Sequence, residues 1–149
     1  MDNDIIERIL TVWEKDGKID SQRITDETIA TPILHAKYLR IYASWKRKQS
    51  SAKLELNRLK QKKIRYYRGE MSKEELDELG WKQWQYNRPM KNELEQLISS
   101  DVDVFDKVLE LEELDTIVYV LDSIMTQIKS RDFEISNHIK HKLYEKGEG

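Results

Sequence analysis

Cysteine is absent from the 149 residues, which removes disulfides, thiol nucleophiles and cysteine-held zinc or iron–sulfur centres. A reducing cytoplasm is the compartment that composition predicts. Long apolar runs are missing too, since no stretch reaches the roughly 18 residues of a membrane span. The opening MDNDIIERIL is acidic rather than basic-then-apolar, so no secretion signal is expected. Glycine is scarce, and Gly17, Gly69 and Gly80 stand alone, so no phosphate-cradling loop is present.

Catalytic material is equally thin. His138 and His141 lie one helical turn apart near Glu134 and Glu145, and His35 is the one remaining histidine. Such a pair near a terminus is better read as exposed surface than as a metal site. Asp101, Asp103 and Asp106 cluster where the start of a helix favours negative charge, which gives them a structural reason to be there. Ser50 and Ser51 have no base in a fitting pattern. The sequence therefore predicts no enzyme, no cofactor and no metal.

What the chain has in excess is charge. Charged residues make up 36% of it, against roughly 25% in an average globular protein. With so little apolar material, an elongated all-α subunit that completes its core against copies of itself is expected, forming a single domain over 1–149. The net charge of -2 hides an uneven distribution. Residues 1–36 hold 4 basic and 8 acidic side chains, residues 37–70 hold 12 and 2, and residues 71–149 hold 10 and 18. A cationic middle third is flanked by acidic segments.

Periodicity is helical throughout, with no convincing strand. Ile5, Ile6, Ile9, Leu10 and Trp13 mark a first helix over 3–15 that Gly17 ends. Asp20 or Ser21 is expected to cap a short turn. Thr31 followed by Pro32 reads as an N-cap with proline in the first helical position. From there Leu34, Tyr38, Ile41, Trp45, Ala52, Leu56 and Leu59 carry a long basic helix through 37–70. In the 71–98 region Ser72 and Glu75 form a capping-box pattern, and Gly80 and Pro89 punctuate an aromatic turn containing Trp81 and Trp84. Ser100, with Asp103 three residues on, is expected to open a last helix within 99–149. Along it Leu111, Leu114, Val118, Leu121, Met125 and Ile128 step by 3 and 4, with Ile117 and Ile124 widening the face. This stripe is the predicted oligomerisation seam, with packing against the chain's own long helix as the alternative. An aspartate at Leu121 is expected to disperse such an assembly.

The basic tract is the main functional signal. Lys46, Arg47, Lys48, Lys53, Arg58, Lys60, Lys62, Lys63, Arg65 and Arg68 have almost no acidic partner one turn away, so they repel one another and call for a polyanion. Tyr66 and Tyr67 sit beside Arg65 and Arg68, the pairing that stacks bases while cations follow phosphates. Asn57, Gln61 and Gln49 form no duplex-reading motif, and a membrane-binding helix would need a stronger insertable face. Single-stranded nucleic acid fits best. A helical scaffold whose basic helix docks on an acidic protein surface is the competing reading.

An ordered set of residues also resembles the UvsY family of phage recombination mediators. It begins with Ile19, Asp20 and Ser21 after the acidic start, then a Lys- and Trp-bearing helix reaching Ser50 and Ser51. A basic segment follows, closed by Tyr66, Tyr67 and Gly69. Ser99, Asp101, Asp103 and Val104 resemble the entry to the family's last helix, and Ile128, Lys129, Ser130, Arg131, Phe133 and Ile135 its exit. The resemblance implies an accessory protein without a catalytic site, working in the cytoplasm of an infected bacterial host. Implied partners are single-stranded DNA, a phage recombinase and a phage single-strand-binding protein. It further implies a ring-like homo-oligomer, roughly a hexamer or heptamer. The family's DNA-binding positions carry over most directly to Lys63, with Lys60 and Lys62 beside it.

Overall fold

The computed structural model describes residues 2–147, with side chains from Asp4 onward. Five helices make up the described residues: α1 (Asp2–Asp16), α2 (Ile24–Tyr67), α3 (Lys73–Leu79), α4 (Lys91–Ser100) and α5 (Val102–Glu145). No strand occurs among the described residues, so the fold is all-α. The last two residues of the tail, 148 and 149, lie outside the described part. The chain divides into two compact units, a terminal unit holding residues up to 47 and from 113 onward, and a central unit of 48–112.

The terminal unit is built by α1, the first part of α2 and the second part of α5. Its core is Tyr38, Ile117, Leu121, Ile124, Met125 and Ile128, against which Ile5, Ile6, Ile9, Trp13, Leu34 and Ile41 pack. Leu121 is 0% exposed. The Trp13 ring meets Tyr38 edge-on at 5.3 Å. Glycine is required at position 17, because a Cβ there would stand 2.9 Å from the Trp13 ring. The Tyr38 hydroxyl donates to Asp16 at 3.0 Å, and Lys37 pairs with the same carboxylate at 2.6 Å.

Helix α2 begins at Ile24, eight residues before the first helical position that the sequence pattern suggests. Asp20 accepts from the Gln22 amide at 2.9 Å, and the first helical bond runs from Glu27 N–H to the Arg23 carbonyl. Thr31 and Pro32 are therefore interior, not an N-cap and first position. Arg131, 3% exposed, explains why the extra turns are helical. From α5 it donates to Thr31 Oγ1 at 3.1 Å, to the Gly17 carbonyl at 3.3 Å and to Glu27. Fixing Glu27 and Thr31 on one face of a single turn offsets the donor that Pro32 lacks.

The candidate seam divides in two. Val118, Leu121, Met125 and Ile128 are buried by their own chain, so packing within the subunit already occupies them. Leu111 and Leu114 stay partly exposed. Large apolar side chains left outside in this unit include Tyr119, Phe133, Ile29, Ile33 and Tyr144.

Candidate nucleic-acid interface

In the central unit the last part of α2 presents one face inward, with Ala52, Leu56, Lys63 and Tyr67 buried. The Ser72 cap and the Gly80 stop read from sequence hold here, while the Glu75 carboxylate of the capping-box pattern pairs with Arg65. Ser72 accepts from Glu75 N–H at 3.2 Å, and Gly80 ends α3 at φ 70°, a left-handed position that suits a residue without Cβ. The α4–α5 junction differs from expectation. Ser100 is the last residue of α4 and bonds back to the Gln96 carbonyl at 2.7 Å. Asp101 caps α5 instead, its Oδ1 accepting from Asp103 N–H at 3.0 Å and Val104 N–H at 3.2 Å.

Lys63 does not face solvent. It is 5% exposed and lies 3.1 Å from Asp101 and 2.9 Å from Asp103, with its ammonium 4.0 Å from the Trp81 ring centroid. The cation carried over most directly as a DNA contact is instead neutralised by carboxylates from the start of α5. Tyr67 is buried as well, and its hydroxyl donates to Asp101 at 2.6 Å. Tyr66 is half-buried, donates to the Lys82 carbonyl and packs edge-on against Tyr67, Trp81 and Trp84. Trp84 meets Tyr67 at 4.8 Å on one side and Tyr86 at 4.8 Å on the other. The paired tyrosines thus hold the 81–90 segment and do not form an open stacking platform. Trp81 and Trp84 are their packing partners.

The Asp101 carboxyl responds to opposing influences. Burial pushes its pKa up, but hydrogen bonds from Tyr67, Lys63 and Val104 N–H outweigh it and hold the group below the ordinary aspartate value. A carboxyl with a lowered folded pKa contributes stability that is present above the unfolded value near about 3.9 and is lost as pH falls through the folded value. Acid titration followed by far-UV circular dichroism is expected to show stability falling below about pH 4, and Asp101→Asn to flatten that dependence. An unchanged acid limb in the variant would count against this assignment.

Once Lys63 is removed from the surface, the rest of the tract is clearly sorted. Arg65 is exposed and pairs with Glu75 at 3.0 Å. Glu55, the sole acid between 48 and 68, is taken by Lys107 at 2.6 Å. Among the described residues, Lys53, Arg58, Lys60, Lys62 and Arg68 enter no ion pair. Arg58 and Lys62 are spaced by four and share one side of the helix; Lys53 and Lys60, spaced by seven, share another. Lys46 and Arg47 are also exposed on α2, within the terminal unit.

The central unit carries 13 basic and 13 acidic side chains, so it has no net charge. Eight of the basic ones and one acid fall in 48–68, leaving five basic and twelve acidic in 69–112. The field at the surface of α2 therefore comes from separation of charge within a neutral unit, which whole-chain charge conceals.

His141 pairs with Glu145 at 3.0 Å, and no group of three or more metal-ligating side chains converges among the described residues. None of the described helices is long and apolar enough to cross a membrane.

Comparison with known proteins gives a consistent picture. Crystal structures of the bacteriophage T4 recombination mediator protein UvsY superpose with a TM-score of 0.79. One is 22% identical and aligned over 93% of this chain and 96% of that one; another is 21% identical over 93% and 98%. At that identity the likeness establishes the shared fold. Among curated proteins no sequence match is found. The family model described as "Recombination, repair and ssDNA binding protein UvsY" matches residues 12–148, nearly the whole chain, which therefore belongs to the UvsY family.

Proposed function

We propose that this chain binds single-stranded DNA along the exposed side of α2 between Lys53 and Arg68 and acts as a recombination mediator. In this role it seats a phage recombinase on strands held by a phage single-strand-binding protein, in the cytoplasm of the infected host. The observation that supports the DNA contact is the set of five cations, Lys53, Arg58, Lys60 and Lys62 on the last part of α2 and Arg68 in the turn after it, that enter no ion pair within the chain. Each such site is weak alone. Repetition in a ring-like homo-oligomer would link many, so avidity rises by roughly two to four orders of magnitude without new contacts. Exposed apolar groups such as Tyr119 and Phe133 support assembly between copies better than the enclosed Leu121 does. No step here needs catalysis, since competition for the strand and docking of partners suffice.

The test is fluorescence anisotropy of labelled oligo-dT across a salt series. Each phosphate contact on a single strand contributes about 0.7 to the slope of log affinity against log salt. The triple change Lys53→Gln, Arg58→Gln and Lys62→Gln is expected to weaken binding and lower that slope by about 2. An unchanged slope would exclude these three cations from the site. No binding of the unaltered protein at about 50 mM salt would favour the scaffold reading, with the tract docked on an acidic protein surface.

A further inference from the structure

Cations on α2 account for attraction to phosphate, but a duplex offers phosphates too. Preference for a single strand needs a surface that only an unstacked base can enter. Tyr66 and Tyr67 are occupied by the chain's own packing, which leaves two exposed aromatic rings in the central unit, Tyr86 at 75% and Phe105 at 53%. Tyr86 rests on Trp84, and the nearby Arg88 is paired with Glu70 at 3.4 Å. Phe105 has a different setting. It lines a cavity of about 360 Å³ with Ile98, Val104 and Val108, and Lys60 of the unpaired set lines the same cavity. The other polar groups there are Glu95 and Ser99, able to accept from a base N–H such as that of thymine N3.

We infer that this cavity takes one nucleobase of the bound strand, stacked on Phe105, while Lys60 holds the adjoining phosphate. The inference rests on the reading of α2 as the DNA-binding helix and adds the element that distinguishes single strand from duplex. Concavity, an apolar wall, a half-exposed flat ring and a cation among the lining residues are what a stacked base with its phosphate requires. The same geometry explains how the site works without the tyrosines. The cation and the ring come from different helices, α2 and α5, so they meet only in the folded unit.

The experiment compares oligo-dT with an abasic strand of equal phosphate number, using the full-length chain. Phe105→Ala is expected to reduce affinity for oligo-dT by about tenfold or more, the effect of losing one stacked base, while the salt slope stays as it was. Affinity for the abasic strand should hardly move, and Phe105→Trp should restore discrimination. Lys60→Gln should do the reverse, lowering the slope on both strands. The inference is overturned by oligo-dT affinity unchanged in Phe105→Ala, by equal losses on both strands, or by the loss appearing in Tyr86→Ala instead. A change in assembly mass by light scattering with oligo-dT affinity intact would also overturn it, and would assign the cavity to contact between copies. If the unaltered protein binds neither strand, the DNA-binding reading itself falls. That result is distinct from a chain that binds oligo-dT with a steep salt slope and ignores Phe105.

Discussion

Leu121→Asp is expected to unfold the terminal unit rather than to release intact subunits. Leu121 has no exposed surface and sits among Tyr38, Ile117, Ile124, Met125 and Ile128. Truncation to alanine at such a site costs about 3–5 kcal/mol through lost transfer energy and the cavity left behind. Aspartate adds the penalty of a carboxylate with no partner in an apolar surround, which is several kcal/mol more. Natural domains have only about 5–15 kcal/mol of stability to lose. Urea unfolding followed by circular dichroism should therefore show a midpoint lowered steeply in Leu121→Ala and no cooperative transition in Leu121→Asp. A well-folded, monomeric Leu121→Asp chain would restore the idea that this residue belongs to an intersubunit seam. The steps of 3 and 4 in α5 identify an apolar face, but a single strip of sequence does not say what covers it.

Arg131→Ala is the second large effect. The guanidinium reaches three acceptors on separate segments: the Gly17 carbonyl after α1, and Glu27 and Thr31 on α2. Removing it leaves Glu27, whose side chain is 20% exposed, without its partner, and a buried pair broken on one side costs about 3–5 kcal/mol. Arg131→Lys is expected to recover only part of that loss, since a single ammonium cannot reproduce the planar fork. Urea midpoints of the two variants settle the matter, and equal stability of Arg131→Lys and the unaltered chain would show that charge alone is needed there.

These residues also show where sequence reasoning succeeds and where it stops. Local signals carried through: the Ile5–Trp13 stripe, the Ser72 cap, the Gly80 stop and the unbroken stripe of α5 all depend on contacts within a few positions. Thr31 and Pro32 misled because a cap signature is local, whereas the helix before them is held by Arg131, about a hundred positions away. Lys63 misled for the same reason. No acid lies one turn from it, yet Asp103 reaches it from 40 positions downstream. The tract was legible as a source of positive potential, but not which of its members the fold would neutralise. A ring such as Phe105 gave no signal at all. It sits in an acidic stretch, and only folding brings it to one cavity with Lys60.

Asp101 finally bears on how the length of this chain can vary. It is the one residue between α4 and α5, its amide closing the first helix on Ile98 and its side chain starting the second. One residue inserted after it would turn everything beyond by about 100° relative to the cap, moving Val104 off the buried face and taking Asp103 away from Lys63. A deletion would do the same in the opposite sense. Insertions and deletions should therefore be rejected at this junction and accepted beyond Trp84, in the exposed 85–88 stretch. Libraries of single-codon insertions scored for soluble helical protein would show the contrast directly.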